Sequence, residues 1–237
     1  MKSFALIACT AAAALAGCVT TVSAAGGGHI QQRSHQTVPA SGITSVRVSN
    51  VSGTVTVTGW NQNGIGIDAV KRANDSGSIA RTHVDVTRNG DELAVSTRYD
   101  KNGLFGSTNG ASVDYTIRVP ATENVNVANV SGDISIHGVS GDVSAKDVSG
   151  DIKAALGRVG GSRTIRLDTI SGALQVQMAK NSDASVQAKT ISGAIHTFFP
   201  SDITKGYVGE DLKGTVGSGA GKIDMHTVSG AIDVSQE

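Results

Sequence analysis

From residue 43 onward, apolar and polar residues alternate in short stretches separated by turn-forming residues. A period of two is that of a strand with one face buried and the other wet. The stretches Ile43–Ser49, Thr54–Thr58, Ile65–Val70, His83–Thr87, Glu92–Arg98 and Ser112–Val119 each predict a strand. Their connectors are rich in Asn, Asp, Ser and Gly, and Asn89-Gly90 between two alternating runs predicts a hairpin. Pro120 ends this portion. No long helical period follows, and Ala179–Ala188 reads as a short turn or loop.

After Pro120 the alternation becomes a repeat. The triplet Val/Ile-Ser-Gly occurs seven times, starting at Val51, Val130, Val139, Val148, Ile170, Ile191 and Val228. Alternating segments follow it, as in Asp133-Ile134-Ser135-Ile136 and Ala173-Leu174-Gln175-Val176. Gly132, Gly141 and Gly150 are nine residues apart, Gly150 to Gly172 is 22, and Gly172 to Gly193 is 21. Gly193 to Gly230 is 37, nearly two such steps. A step near 20 suits one coil of a solenoid, and nine suits one face with its corner. One coil cannot bury its apolar face alone, so neighbours must stack. The predicted fold is all-β: a single-stranded parallel β-solenoid, right-handed by the usual crossover rule. An N-terminal, hairpin-rich β portion (43–120) precedes the solenoid proper (121–237).

Composition agrees with that reading. Aromatic residues are 3% of the chain and there are 30 glycines, so small inward side chains and tight corners replace a bulky core. Lys plus Arg and Asp plus Glu both number 20, which leaves no basic face for nucleic acid. The two cysteines, Cys9 and Cys18, both lie near the N-terminus, so no internal disulfide framework exists.

The first 17 residues read as a lipoprotein signal peptide. Lys2 is followed by an apolar run from Phe4 to Ala16, too short to span a bilayer, which needs ~20 residues. Leu15-Ala16-Gly17-Cys18 matches a lipobox, making Cys18 the acylated residue, and stable acylation anchors a chain to a membrane. The alternative is an ordinary secretory signal cleaved after Val22-Ser23-Ala24. Residues 18–42, which include Gly26-Gly27-Gly28, read as the acylated cysteine and a flexible tether. With Val19 after the cysteine, the expected place is the cell envelope: the outer membrane or periplasmic face in a Gram-negative cell.

The Arg88–Val95 hairpin, the Val119-Pro120 junction, the VSGDI-type coils and the terminal Thr227–Gly230 coil together resemble the bacterial "putative adhesin" β-solenoid family. The resemblance covers roughly 43–237. It implies the solenoid fold and carries no catalytic or ligand-binding residues. The departure is the loss of Asp from the later corners, where Ala173, Ala194 and Ala231 stand.

Candidate chemistry is sparse. Asp133, Asp142 and Asp151 recur every nine residues, but the glycine pattern of calcium-binding rolls is absent, and they read as corner carboxylates rather than metal ligands. His29, His35, His83, His137, His196 and His226 form no ligand motif, and the last three read as solvent-facing. No nucleophile elbow or phosphate-cradling loop occurs, and Gly217–Gly221 reads as a loop before the last coil. Trp60 reads as a cap over the first coil more readily than as a sugar platform. Phe198-Phe199-Pro200 reads as a plug in the core. Leu104 and Phe105, in a loop rich in Gly, Asn and Ser, are the candidate contact residues. The sequence thus points to a non-enzymatic envelope lipoprotein acting in adhesion, scaffolding or partner binding. It needs no cofactor, and its partners are the membrane, through the lipid, and an envelope protein or glycan. The alternatives are a carbohydrate-active lyase or hydrolase on a β-helix, and an envelope sensor or assembly factor.

Overall fold

The computed structural model describes residues 16–24 (backbone only), 30–100, 110–206 and 209–237. In chain order the strands are β1 (Ala16–Ala24), β2 (Ile30–Pro39), β3 (Ser45–Ser49), β4 (Val55–Trp60), β5 (Gly64–Ala73), β6 (Thr82–Asn89), β7 (Glu92–Tyr99), β8 (Ser112–Pro120), β9 (Asn124–Ala128) and β10 (Ile134–His137). The second half contains β11 (Val143–Ser149), β12 (Ile152–Ala155), β13 (Thr164–Ser171), β14 (Leu174–Met178), β15 (Ala184–Ser192), β16 (Ile195–Thr197), β17 (Ser201–Lys205), β18 (Glu210–Val216), β19 (Gly221–Ser229) and β20 (Ile232–Gln236). One short helix, Ser76–Ala80, is N-capped by Asp75, whose carboxylate accepts from the Ser78 N–H at 2.8 Å.

The strands form two ten-stranded sheets. Each coil crosses from one sheet to the other: β3 to β4, β9 to β10, β11 to β12, β13 to β14, β15 to β16 and β19 to β20. The parallel order β3-β9-β11-β13-β19-β15 in one sheet is matched by β4-β10-β12-β14-β20-β16 in the other. Inward side chains of both sheets make one core from Val38 to Val234, in rows such as Val46, Val125, Val143, Ile165, Ile223 and Val186. Residues 43–120 share both sheets and this core with the second half, so Pro120 divides the sequence but not the packing.

The six segments expected before Pro120 coincide with β3 to β8, and Asn89-Gly90 turns the antiparallel β6–β7 hairpin with Gly90 at φ 65°. Four expectations change. Residues 30–39, expected within a flexible tether, form β2, paired antiparallel with β5 over its whole length, because Ile30 to Pro39 supply the backbone partners that the edge of β5 needs. Ala184–Ala188, expected as loop, belongs to β15, its Ala184, Val186 and Ala188 being buried at the strand period. The 37-residue step holds no hidden coil. It holds the antiparallel pair β17–β18, after which β19 and β20 insert between the coil of β13–β14 and that of β15–β16. The chain is therefore not a simple winding in sequence order, and antiparallel strands extend both sheets.

Residues 1–15 of the expected signal peptide (1–17), Gly26-Gly27-Gly28 and the expected contact residues Leu104 and Phe105 lie outside the described residues. Cys18 falls in β1, at the irregularity in its pairing with β2 between Ala16 and Val19. No helix among the described residues is long and apolar enough to cross a membrane.

Candidate interaction surface on the glycine edge

Six of the seven triplets lie on one edge, where each coil turns between sheets. Gly132 stacks on Gly53, Gly150 on Gly132, Gly172 on Gly150, Gly230 on Gly172 and Gly193 on Gly230. A methyl group built on Gly230 would stand 1.9 Å from the Gly172 carbonyl oxygen, so each glycine lies directly against the carbonyl below it. The serines are in register as well: Ser52, Ser131, Ser149, Ser171, Ser229 and Ser192. The seventh triplet differs. Val139 is fully buried, and Gly141 sits on the opposite edge against the Glu123 carbonyl.

The Val/Ile column is the unexpected feature. In spatial order Val51, Val130, Val148, Ile170, Val228 and Ile191 are between 42% and 52% exposed. Strand parity explains why. In β13, Ile165, Leu167 and Thr169 point inward, so Ile170 must point outward. The same count turns Val148 out of β11, Ile191 out of β15 and Val228 out of β19. Six β-branched side chains thus form a ridge on the order of 24 Å long at the ~4.8 Å strand spacing, with the serine column beside it. This parity is countable in the sequence.

Of the other predicted candidates, the corner aspartates and Trp60 have structural duties. The Asp133 carboxylate accepts from the Asp151 N–H at 3.0 Å, Asp151 from Ala173 N–H at 2.8 Å, and Asp142 from Thr164 N–H at 2.8 Å. Each thereby ties one coil to the next. His137, His196 and His226 are exposed and lie in different rows. Trp60 does not cap an end. It closes β4 with Nε1 donating to Gly64 O at 2.9 Å, and the Arg118 guanidinium stands 5.5 Å from its ring centre. Phe199 reaches the core while Phe198, packed edge-on against it, stays exposed.

One polar cluster has the connectivity of a hydroxyl–imidazole–carboxylate relay. Thr37 Oγ1 is 3.3 Å from His35 Nε2, His35 Nδ1 is 2.6 Å from Asp68 Oδ1, and Arg118 donates to Asp68 Oδ2 at 2.7 Å. Burial opposes ionisation of Asp68, but the hydrogen bonds from His35 and Arg118 outweigh it and hold the carboxyl below its usual range. The cluster lies on a sheet's open outer face, where β2 and β5 direct their backbone groups into the ladder between them. These contacts join β2, β5 and β8, and the relay reads as a cross-strand ion-pair network. Among the described residues two depressions are open to solvent, one beside Asn124, Asp142 and Arg158, the other beside Gln187 and Lys213.

The model of the Toastrack DUF4097 family matches residues 30–235. The fold is similar to that of a "putative cell adhesion protein" from Clostridium sporogenes, with a TM-score of 0.63 at 10% identity, covering 87% of this chain and all of that one. A "putative adhesin" from Bacteroides fragilis is matched at a TM-score of 0.34 and 13% identity, over 85% of this chain and 96% of that one. No curated protein matches the sequence.

Proposed function

We propose, on the premise that this chain belongs to the Toastrack DUF4097 family, that it is a non-enzymatic, adhesin-like protein of the cell envelope that binds a protein partner along the exposed Val/Ile ridge. The observation that carries this reading is the ridge itself: six aliphatic side chains half-exposed in register on one rigid edge. Contiguous exposed apolar side chains mark contact sites more readily than apolar residues scattered singly over a surface. Aliphatic side chains without neighbouring aromatic platforms suit an apolar groove on a protein better than a sugar. Replacing Val130, Ile170 and Ile191 together by Lys is expected to leave the melting temperature nearly unchanged and to weaken binding to an envelope preparation at least tenfold. Pretreating that preparation with protease should abolish wild-type binding. Undiminished binding by the triple variant, or binding removed by glycan digestion alone, would contradict the reading, and cleavage of polysaccharide by the purified chain would replace it with the enzyme alternative.

Attachment to the membrane through an acylated Cys18 belongs to the same proposal. Supporting it are the Leu15-Ala16-Gly17-Cys18 lipobox and the short apolar run before it. Cys18→Ser is expected to move the protein from the membrane fraction to the soluble fraction. Retention of the variant in the membrane fraction at the wild-type level would refute the anchor.

A further inference from the structure

Directly before each Val or Ile of the ridge stands an inward polar residue. In spatial order these are Asn50, Asn129, Asp147, Thr169, Thr227 and Thr190, each at most 5% exposed. Five of the six donate a hydrogen bond to a corner glycine. Asn50 and Asn129 reach Gly53 O at 3.4 and 3.2 Å, and Asn129 also reaches Gly132 O at 2.7 Å. Thr169 donates to Gly150 O at 3.4 Å, Thr227 to Gly172 O at 3.1 Å and Thr190 to Gly230 O at 3.0 Å. Asn129, Thr169, Thr227 and Thr190 donate to the glycine carbonyl of the coil below, and Asn50 donates to that of its own coil. Asp147 is the exception, because an ionised carboxylate has nothing to donate.

Its geometry is that of a donor all the same. Oδ1 accepts from the Val148 N–H at 2.7 Å, while Oδ2 is buried with no partner among the described residues. A methyl group built on Gly150 would stand 2.5 Å from Asp147 Oδ2 and 2.4 Å from Gly132 O, so these two oxygens converge on one corner. On the next rung Asn129 Oδ1 is likewise buried and unpartnered. The corner holds acceptors in excess and lacks one hydrogen. We infer that Asp147 is protonated in the folded protein and donates its Oδ2–H to the Gly132 carbonyl, making one rung of the ladder sensitive to pH.

The surroundings agree. Burial pushes the Asp147 carboxyl up, the Val148 and Ser149 N–H groups oppose that, and the negative charge of Asp133 in the coil below adds to it. The facing rungs on either side, Asn129 and Thr169, are uncharged, and the Asp151 carboxylate is engaged with the Ala173 N–H. The unfolded carboxyl ionises near pH ~3.9. With the folded value above it, this rung's contribution is full below about pH 4 and is lost as pH rises through the folded value. Val148, the next residue, stands within the exposed ridge, so ionisation strains the corner that presents it.

The test compares unfolding of the wild type, Asp147→Asn and Asp147→Thr between pH 4 and 8, with ¹³C NMR titration of the Asp147 carboxyl carbon in the wild type. Both variants supply the missing donor. Each is expected to raise the folding equilibrium constant at pH 7.5 about tenfold and to flatten the decline with pH. Matching pH slopes in variant and wild type, or a carboxyl carbon titrating near ~3.9, overturn the inference. The NMR titration decides by itself if the variants do not fold.

Discussion

Gly230→Ala is expected to destabilise the fold by about 3–5 kcal/mol, a large part of the roughly 5–15 kcal/mol that holds a domain together. The added methyl group would lie 1.9 Å from the Gly172 carbonyl oxygen and 2.6 Å from its carbon. Both atoms are backbone, pinned by the Gly172 N–H donating to Ser229 O at 2.9 Å and the Gly230 N–H donating to Ser192 O at 2.9 Å. The neighbour cannot turn aside as a flexible side chain could. Gly230 also has φ 152°, in a region essentially reserved for glycine. Gly157→Ala is the control. Gly157 has φ 61° but nothing within 4 Å of an added methyl group, so it should lose only about 1 kcal/mol. Chemical unfolding of both variants measures the contrast. Similar losses would mean that backbone conformation alone, rather than glycine stacking, demands these residues.

Arg163→Met is expected to lose about 3–5 kcal/mol through the opposite edge. Arg163 is 8% exposed, and its guanidinium donates to four backbone carbonyls: Gly141 at 2.8 Å, Leu156 at 3.1 Å, Arg158 at 3.0 Å and Val139 at 2.5 Å. These carbonyls lie in the connections that lead into β11 and β13, and a guanidinium is the side chain with enough diverging donors to reach all of them. Burial holds its pKa below the ordinary arginine value, and the Asp142 charge only partly counters this. Methionine fills similar space but leaves those carbonyls without the donor. Arg163→Lys should recover part of the loss, since an ammonium offers three donors from one point. An Arg163→Met variant as stable as the wild type would show that water satisfies this edge unaided.

Asp147 and the ridge were both within reach of the sequence, yet neither is visible from the triplet alone. Counting parity forward from Ile165 or Val186 puts Thr169 and Thr190 inside and Ile170 and Ile191 outside. An Asp where the other rungs carry Asn or Thr then becomes an anomaly. Arg163 gave no such sign, because it belongs to no repeat and its four acceptors come from separate stretches of chain. The same holds for the His35–Asp68–Arg118 network, which joins three strands that are adjacent only in the sheet.

By itself the sequence determined β3 to β8, the short strands that follow the glycine triplets, the hairpin at Asn89-Gly90 and the glycine corners, because alternation and tight turns are local properties of a few consecutive residues. Only the tertiary structure decided which coil lies on which. Rows such as Ile165, Ile223 and Val186 are nearly interchangeable, so local pattern cannot say that β19 lies between β13 and β15. It also decided that β2 joins the sheet, since the pairing of a polar strand depends on a free neighbouring edge. And it separated the edge of Gly132 and Gly150 from that of Gly141, because nine residues carry the chain across one face and eighteen bring it back.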